Sequence, residues 1–303
     1  MIRRIIKRLV KLVLTIVMAL VVAFLVVQCF YLPKCLIEKQ KVTLNTNTSE
    51  EMTIMSCNVR CYAPDDLFEK SWFYRADLIR QDIDKVQPDI IGFQEVTWMH
   101  YDYLVDVMEG YDSVINYRDD FIFSEGCPIF YRTDKFDLID KGSFWLSETP
   151  DVMSKDWGAA CYRVCSYVIL RNQMDNKEFI VFNTHLDHVS DEARINGINV
   201  VLDKISEFGD KPALLMGDLN AKPDSATIQA TKADFDDAQV VAKETMDGAT
   251  YQKWGEKLNN TRIDYIMTSK DQFEINKYAI NANTYNNVYS SDHFSIYVEV
   301  KIK

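Results

Sequence analysis

Glycine and proline are scarce in this chain, ten and seven of 303 residues. That excludes collagen-like and linker-like architectures, and neither an internal repeat nor a low-complexity tract points to a solenoid or a disordered polymer. Zinc-type cysteine spacing is missing too. The seven cysteines (Cys29, Cys35, Cys57, Cys61, Cys127, Cys161, Cys165) are odd in number and spread over a long chain, unlike a small disulfide scaffold. Cys161 with Cys165, or Cys57 with Cys61, lie close enough in sequence to pair, but for most of the seven the preferred reading is a small buried hydrophobe. Positive charge is lacking in the body. The formal net charge is −11, yet residues 1–33 hold five basic residues (Arg3, Arg4, Lys7, Arg8, Lys11) and no acidic one, leaving 29 basic against 45 acidic beyond them. An acidic body does not bind polyanions through a long positive groove, which argues against a duplex nucleic-acid binder. It leaves room for a metal-dependent enzyme acting on phosphate esters, in which the cation brings the local positive charge.

What is present is ordinary globular material, 48% hydrophobic and 26% charged, enough for one large domain or two small ones. From Leu12 to Leu32 only Thr15 and Gln28 are clearly polar. As a helix this stretch matches the hydrocarbon core of a bilayer, about 30 Å. The basic residues before it place the N-terminus in the cytoplasm and the remainder outside, anchored at the cell membrane. A cleaved signal peptide with secretion is the lesser alternative, because the apolar run is long and no small-x-small site follows it. Cys29 lacks the small residues that precede a lipoprotein cysteine. The expected domains are therefore an anchor (1–33), a polar linker (34–51) and a globular body (52–303).

Within the body, apolar runs repeatedly end in polar residues. Thr53–Arg60 reads as a strand containing Asn58, and Asp89–Glu95 as a buried strand ending in a carboxylate. Helical spacing covers Arg75–Val86 until Gln87-Pro88 stops it, Tyr103–Met108 reads as a helix, and Asp191–Phe208 is amphipathic. The spacing predicts Cys127–Arg132 and Phe136–Trp145 as antiparallel neighbours, and Arg163–Leu170 with Glu178–His185 as two more strands. Ala213–Met216 runs into Gly217-Asp218-Leu219-Asn220, where two polar side chains two apart share one face of an extended backbone and Gly217 allows close approach. Arg262–Met267 and Phe294–Ile302 complete the set. Strands with irregularly interspersed helices imply an α/β body of stacked sheets with helices outside.

Six separated segments thus end alike: Asn58, Glu95, His185 with Asp187, Asp218 with Asn220, Asp264, and Asp292 with His293. Any one of them is an unremarked strand end, since polar residues commonly terminate strands and a lone histidine is usually structural. Six together, using two of only four histidines, are not. Ser56-Cys57-Asn58, Gln94-Glu95, Asn183-Thr184-His185-Leu186-Asp187, Gly217-Asp218-Leu219-Asn220, Arg262-Ile263-Asp264-Tyr265 and Ser291-Asp292-His293 resemble, in order, the motifs of the endonuclease/exonuclease/phosphatase superfamily, which includes deoxyribonuclease-like and exonuclease III-like enzymes. Trp145–Pro150 and Asn183–His188 resemble a bacterial branch of it. The resemblance covers about Met52 to Lys303 and implies a four-layer αββα sandwich, preceded here by one transmembrane helix.

The resemblance also implies roles. Glu95, Asn58 and Asp292 would surround Mg²⁺, with Mn²⁺ able to replace it; these are the hard oxygen ligands that such an ion takes. His293, paired with Asp264, and Asp218 would share activation of the water, with no indication which takes the proton. Asn220 and His185 would donate to the phosphoryl oxygens. Glu125 is similar to a carboxylate that supports the second histidine in parts of the family, though a surface glutamate fits as well. Arg163 is read as a structural ion pair before a phosphate contact, and His188 has no assigned role. The expected function is hydrolysis of a phosphodiester or phosphomonoester by a membrane-anchored, outward-facing, Mg²⁺-dependent enzyme. Its partner would be a nucleic acid, nucleotide or phospholipid headgroup, and the chain is expected to be a monomer. The alternative is a catalytically silent ligand- or partner-binding module on the same fold.

Overall fold

The computed structural model describes residues 2–37, 39–46, 49–63, 65–258 and 261–303, with backbone alone for 27–37. The part of the expected anchor beyond Val26, with Cys29 and Cys35, and linker positions 38, 47 and 48 fall outside the described side chains or residues. The chain begins with α1 (Ile2–Ile37). Its segment Ile2–Val26 is long and apolar enough to cross a membrane, and none of it is buried against protein.

The body follows in the order β1 (Met52–Asn58), α2 (Trp72–Val86), β2 (Ile90–Gln94), α3 (Trp98–Val107), β3 (Tyr111–Val114) and β4 (Ile129–Arg132). Next come β5 (Phe136–Trp145), β6 (Val164–Asn172), β7 (Glu178–His185), α4 (Asp191–Ser206), β8 (Ala213–Asp218) and α5 (Ala226–Thr231). The chain ends with β9 (Phe235–Asp237), α6 (Ala238–Val241), β10 (Glu244–Thr245), β11 (Asp264–Ser269), β12 (Phe273–Asn281) and β13 (Ser295–Ile302). Two mixed sheets result, in the orders β10-β12-β13-β1-β2-β4-β3 and β5-β6-β7-β8-β11-β9.

Period-two alternation sorts the apolar side chains into three cores. Ile54, Ile90, Val181, Leu214, Met216, Ile266 and Val298 fill the space between the sheets. Phe182, Leu215 and Tyr265 point the other way, onto Ile198 and Val201 of α4 and Ile228 of α5. Met55, Ile91 and Phe93 meet Ile79 and Ile83 of α2 and Leu104 of α3. The order helix, sheet, sheet, helix is the αββα sandwich, and strands buried on both faces explain the unbroken apolar runs in the sequence.

One strand pairing differs from expectation. β4 and β5 are not neighbours: β4 pairs with β2 and β3, while β5 pairs with β6 in the other sheet. The turn between them carries the chain across the sandwich, so Tyr131 and Phe136 face the same central core from opposite sides. The elements β3, α5, β9, α6, β10 and β12 escape the sequence pattern. The alternation of β12 is broken by a bulge between Ile275 and Lys277, and β3 has four residues with none fully buried. The cysteines Cys57, Cys61, Cys127, Cys161 and Cys165 are all free.

Part of the polar segment before the body is fastened to it. Val42 is buried and its N–H donates to Val107 O at 2.7 Å. The Thr43 N–H reaches Asp84 Oδ1 at 2.9 Å, and the Asn45 N–H reaches Gln87 Oε1 at 2.8 Å. Arg132 donates to Asn45 Oδ1 and O at 2.9 and 2.8 Å. These partners lie at the C-terminal ends of α2, α3 and β4, beside the start of β2. That end is opposite the one where β1 and β2 deliver Asn58 and Glu95.

Gly217 makes the tightest backbone approach of the glycines. It has φ +142°, and a Cβ there would stand 1.9 Å from Thr184 O of the adjoining β7. Gly209, with φ +67°, has nothing within 4 Å of the same position. Gly217→Ala is expected to destabilise the domain by about 3 kcal/mol or more, from overpacking plus backbone strain. Gly209→Ala should lose only about 1–2 kcal/mol, the conformational term alone. Denaturant unfolding of both variants checks this; equal losses would show that the contact with Thr184 does not restrict the site.

Candidate active site

The strand parity that builds the central core also aims the polar strand ends. Asn58, Gln94, Asn183, His185, Asp218 and Asp264 continue the rows that hold Ile54, Ile90, Val181, Met216 and Ile266, so all look into the gap between the sheets. Register aligns them: His185 lies beside Asp218 across β7 and β8, and Asp264 beside Asp218 across β11 and β8. Gln94 and Asn183 tie the two sheets together. Gln94 Nε2 donates to Asn183 Oδ1 at 2.7 Å, and Asn183 Nδ2 donates to Phe93 O and Pro128 O at 2.8 and 2.9 Å.

Beyond this tie the gap opens into a cleft of about 370 Å³. On its floor Asn58 Nδ2 donates to Glu95 Oε1 and to Asp218 Oδ2, each at 3.1 Å. Glu95 Oε2 accepts the Cys61 N–H at 2.7 Å. Burial raises the Glu95 pKa, but the facing His185 and His293 rings, that N–H and Arg60 outweigh it and hold the carboxyl below its usual range. Asp218 is pushed the other way, up to about 7, by burial and then by the charge of Asp264. Asp292 is raised by burial, against the opposing pull of His293; its Oδ2 lies 4.0 Å from Arg60 Nε.

His293 stands between two carboxylates. Its Nδ1 is 3.0 and 3.2 Å from the Asp264 oxygens, and its Nε2 is 3.7 Å from Asp218 Oδ2. Burial opposes the charged ring, but Asp264 first, then Asp218 and Asp292, outweigh it and raise the pKa well above the ordinary value. His185 goes the opposite way: burial, then the Arg163 charge, holds it well below. Its Nε2 accepts from Asn220 Nδ2 at 3.0 Å, and Asn220 also donates to Leu186 O. Two histidines in one cleft thus differ in charge, the environment in which acid and base roles separate. Arg60, Glu95 and Asn220 have φ of 58°, 64° and 47°; left-handed backbone at bulky residues is strain of the kind that gathers at functional sites.

The other residues read from the sequence are also placed. Asp187 accepts backbone N–H groups of Ala160, Val189 and Ser190, and so anchors loops. Arg163 donates to His188 Nδ1 at 3.0 Å and lies 3.7 Å from Asp187. Glu125 pairs with Arg118 at 2.8 Å, and burial, then the Glu95 charge, lifts it to about 7. Arg262 is held by both oxygens of Asp237 at 2.7 and 2.6 Å, outside the cleft. Sequence patterns did not reveal four supporting residues. Thr250 Oγ1 accepts the N–H groups of Ile263 and Asp264. Tyr251 packs on the His293 ring at 4.9 Å. Buried Arg75 donates to Val59 O and Ser290 O, gripping the segments beside Asn58 and Asp292. Arg118 lines the cleft. They lie in loops or on a helix face, where no periodicity marks them.

The floor suits a divalent cation. Ligand atoms of Glu95, His185 and Asp218 lie within 4.8 Å of one another, as do those of Asp218, Asp264 and His293. Buried carboxylates crowded enough to raise Asp218 call for positive charge. Work on a phosphoric ester with a divalent cation is what such a floor allows. It belongs to the Endonuclease/Exonuclease/phosphatase family, whose model matches residues 55–293. A mannosyl-6-phosphatase of Bacteroides thetaiotaomicron is 32% identical; the match covers 82% of this chain and 99% of that one, with a TM-score of 0.74. A family member from Bacteroides vulgatus is 29% identical over 84% and 99% of the two chains, with a TM-score of 0.79. Nocturnin of Drosophila melanogaster is 28% identical over 80% of this chain and 44% of its own length. The chain spans less than half of the first curated relatives it matches.

The raised His293 pKa has a definite sign. Pairing with Asp264 contributes stability that is present in full below the ordinary histidine value, about 6.5, and is lost as pH rises through the raised one. In metal-free protein the His293 ring resonances should therefore titrate above neutrality. Asp264→Asn should shift that titration downward and lower unfolding stability more at pH 6 than at alkaline pH. Identical titration in both proteins would show that Asp264 does not hold the proton.

Proposed function

We propose that the chain is a membrane-anchored, outward-facing phosphoesterase that uses Mg²⁺, or Mn²⁺ in its place, to hydrolyse a phosphate ester. The observation that carries this reading is the His293 imidazole, fixed by Asp264 and 3.7 Å from Asp218, in the same cleft as Glu95. Glu95 would hold the cation, Asn58 would stand beside it with its Nδ2 donating to Glu95 Oε1 at 3.1 Å, and Asp292 completes the acidic rim. Bound there, the cation relieves charge on the phosphoryl oxygens. The remaining tasks fall to the chain. Asp218 and His293 orient the water, and whichever of them is unprotonated takes its proton. Asp264 keeps the imidazole in one tautomer and stabilises its charged form. Asn220 Nδ2, whose two N–H groups are held by His185 Nε2 and Leu186 O, would turn one of them to the phosphoryl group, with His185 positioning it.

The apolar segment Ile2–Val26, with basic residues at its start, supports an N-terminal anchor with the body outside. The fastening of residues 42–45 at the end away from the cleft favours a catalytic mouth turned from the bilayer, toward soluble or extended substrates. The relative named a mannosyl-6-phosphatase adds weight to a phosphomonoester.

The full chain should hydrolyse aryl phosphomonoesters or phosphodiesters with Mg²⁺ and lose activity in excess chelator. Asp218→Ala should lower kcat on the order of 10²-fold or more, and Mg²⁺ should raise Tm as a ligand of the native state does. Full turnover in chelator would remove the metal from the account. Protease added to intact cells should cut the body; protection until lysis would reverse the orientation.

A further inference from the structure

Four side chains that hydrolysis does not use meet at one end of the cleft: Arg118, Glu125, Arg163 and His188. Arg163 is 5% exposed, yet its Nε has no hydrogen-bond partner, and neither has Arg118 Nε. A separate void of about 10 Å³ lies among Arg118, Glu125, Arg163 and His185, about the space of one hydroxyl or water. Because a guanidinium only donates, the Arg163–His188 contact makes His188 Nδ1 the acceptor and leaves the proton on Nε2. Unsatisfied donors (Arg118 Nε, Arg163 Nε) thus stand beside one carboxylate acceptor, Glu125, at this end.

We propose that this end of the cleft is a leaving-group subsite for a neutral, polyhydroxylated group, so that the substrate is a sugar phosphate. The proposal rests on the phosphoesterase reading and names its substrate class. Charge argues against a second phosphate here. Among the described lining residues each guanidinium already has a carboxylate within 4 Å: Arg118 with Glu125 at 2.8 Å, Arg60 with Asp66 at 2.9 Å, and Arg163 Nε with Asp187 at 3.7 Å, close enough for charge but too far for a hydrogen bond. A nucleobase needs an aromatic face. Among the described lining residues only Tyr251 is aromatic outside the histidines, and it is packed on His293. A lipid tail needs an apolar wall, and Ile263 is the one aliphatic lining residue described. Vicinal hydroxyls, which both donate and accept, match what remains.

Binding separates this proposal from catalysis. In the full chain carrying Asp218→Asn, with Mg²⁺ present, titration calorimetry compares a hexose 6-phosphate with inorganic phosphate. The hexose 6-phosphate should bind at least 10-fold more tightly. Adding Arg163→Gln, or the more exposed His188→Ala, should erase that advantage while phosphate binding persists. Equal affinity for the two ligands, equal weakening of both by His188→Ala, or tighter binding of a nucleoside 5′-monophosphate would each overturn the subsite. Retained discrimination without hydrolysis by the wild-type chain would instead reject the phosphoesterase reading and leave the subsite standing.

Discussion

Crowding of negative charge at one end of the sandwich is the constraint on which the rest depends. Glu95, Asp218, Asp264 and Asp292 converge where the two sheets part, and the positive groups closest to them are His293 and Arg60. Burying unpaired charge is expensive. The fold answers with a charged imidazole between Asp264 and Asp218, an amide bridge from Asn58 to Glu95 and Asp218, and a pKa for Asp218 raised to about 7. Chemistry and strain thus have one origin: a floor crowded with carboxylates suits a cation and pushes Asp218 up to about 7.

Rigidity beneath the floor makes that crowding tolerable. The Gln94–Asn183 tie closes the gap just below the carboxylates, and Gly217 lets β7 and β8 approach at the point where His185 and Asp218 emerge. Arg75 grips Val59 and Ser290 at once, so the end of β1 that carries Asn58 and the loop that carries Asp292 share one anchor. A carboxylate cluster on mobile loops would relax by spreading apart; held this way it cannot.

Much of this was legible in the sequence because strand parity is strict. Apolar runs bounded by Asn58, Glu95, Asp218 and Asp264 could be read as strands, and the structure brings those four residues together with His185, Asn220 and His293. Partner choice was less legible. β4 and β5 look like a hairpin because they are adjacent in the chain, but the identity of the sheet each joins depends on Tyr131 and Phe136 sharing a core from opposite sides. The bulge in β12 hid its alternation. Arg118, Tyr251 and Thr250 act from loops, where position follows from tertiary contacts and leaves no periodic trace.

We propose that Asp264 and His293, 3.0 Å apart, work as one unit on the attacking water. A double-mutant cycle on kcat with Mg²⁺, using an aryl ester that the wild-type chain turns over, measures this directly. Asp264→Asn and His293→Ala should each lower kcat on the order of 10²-fold or more, and the double variant should be little worse than His293→Ala alone, as for residues that act together. Losses that multiply would contradict the account and leave Asp218 as the base.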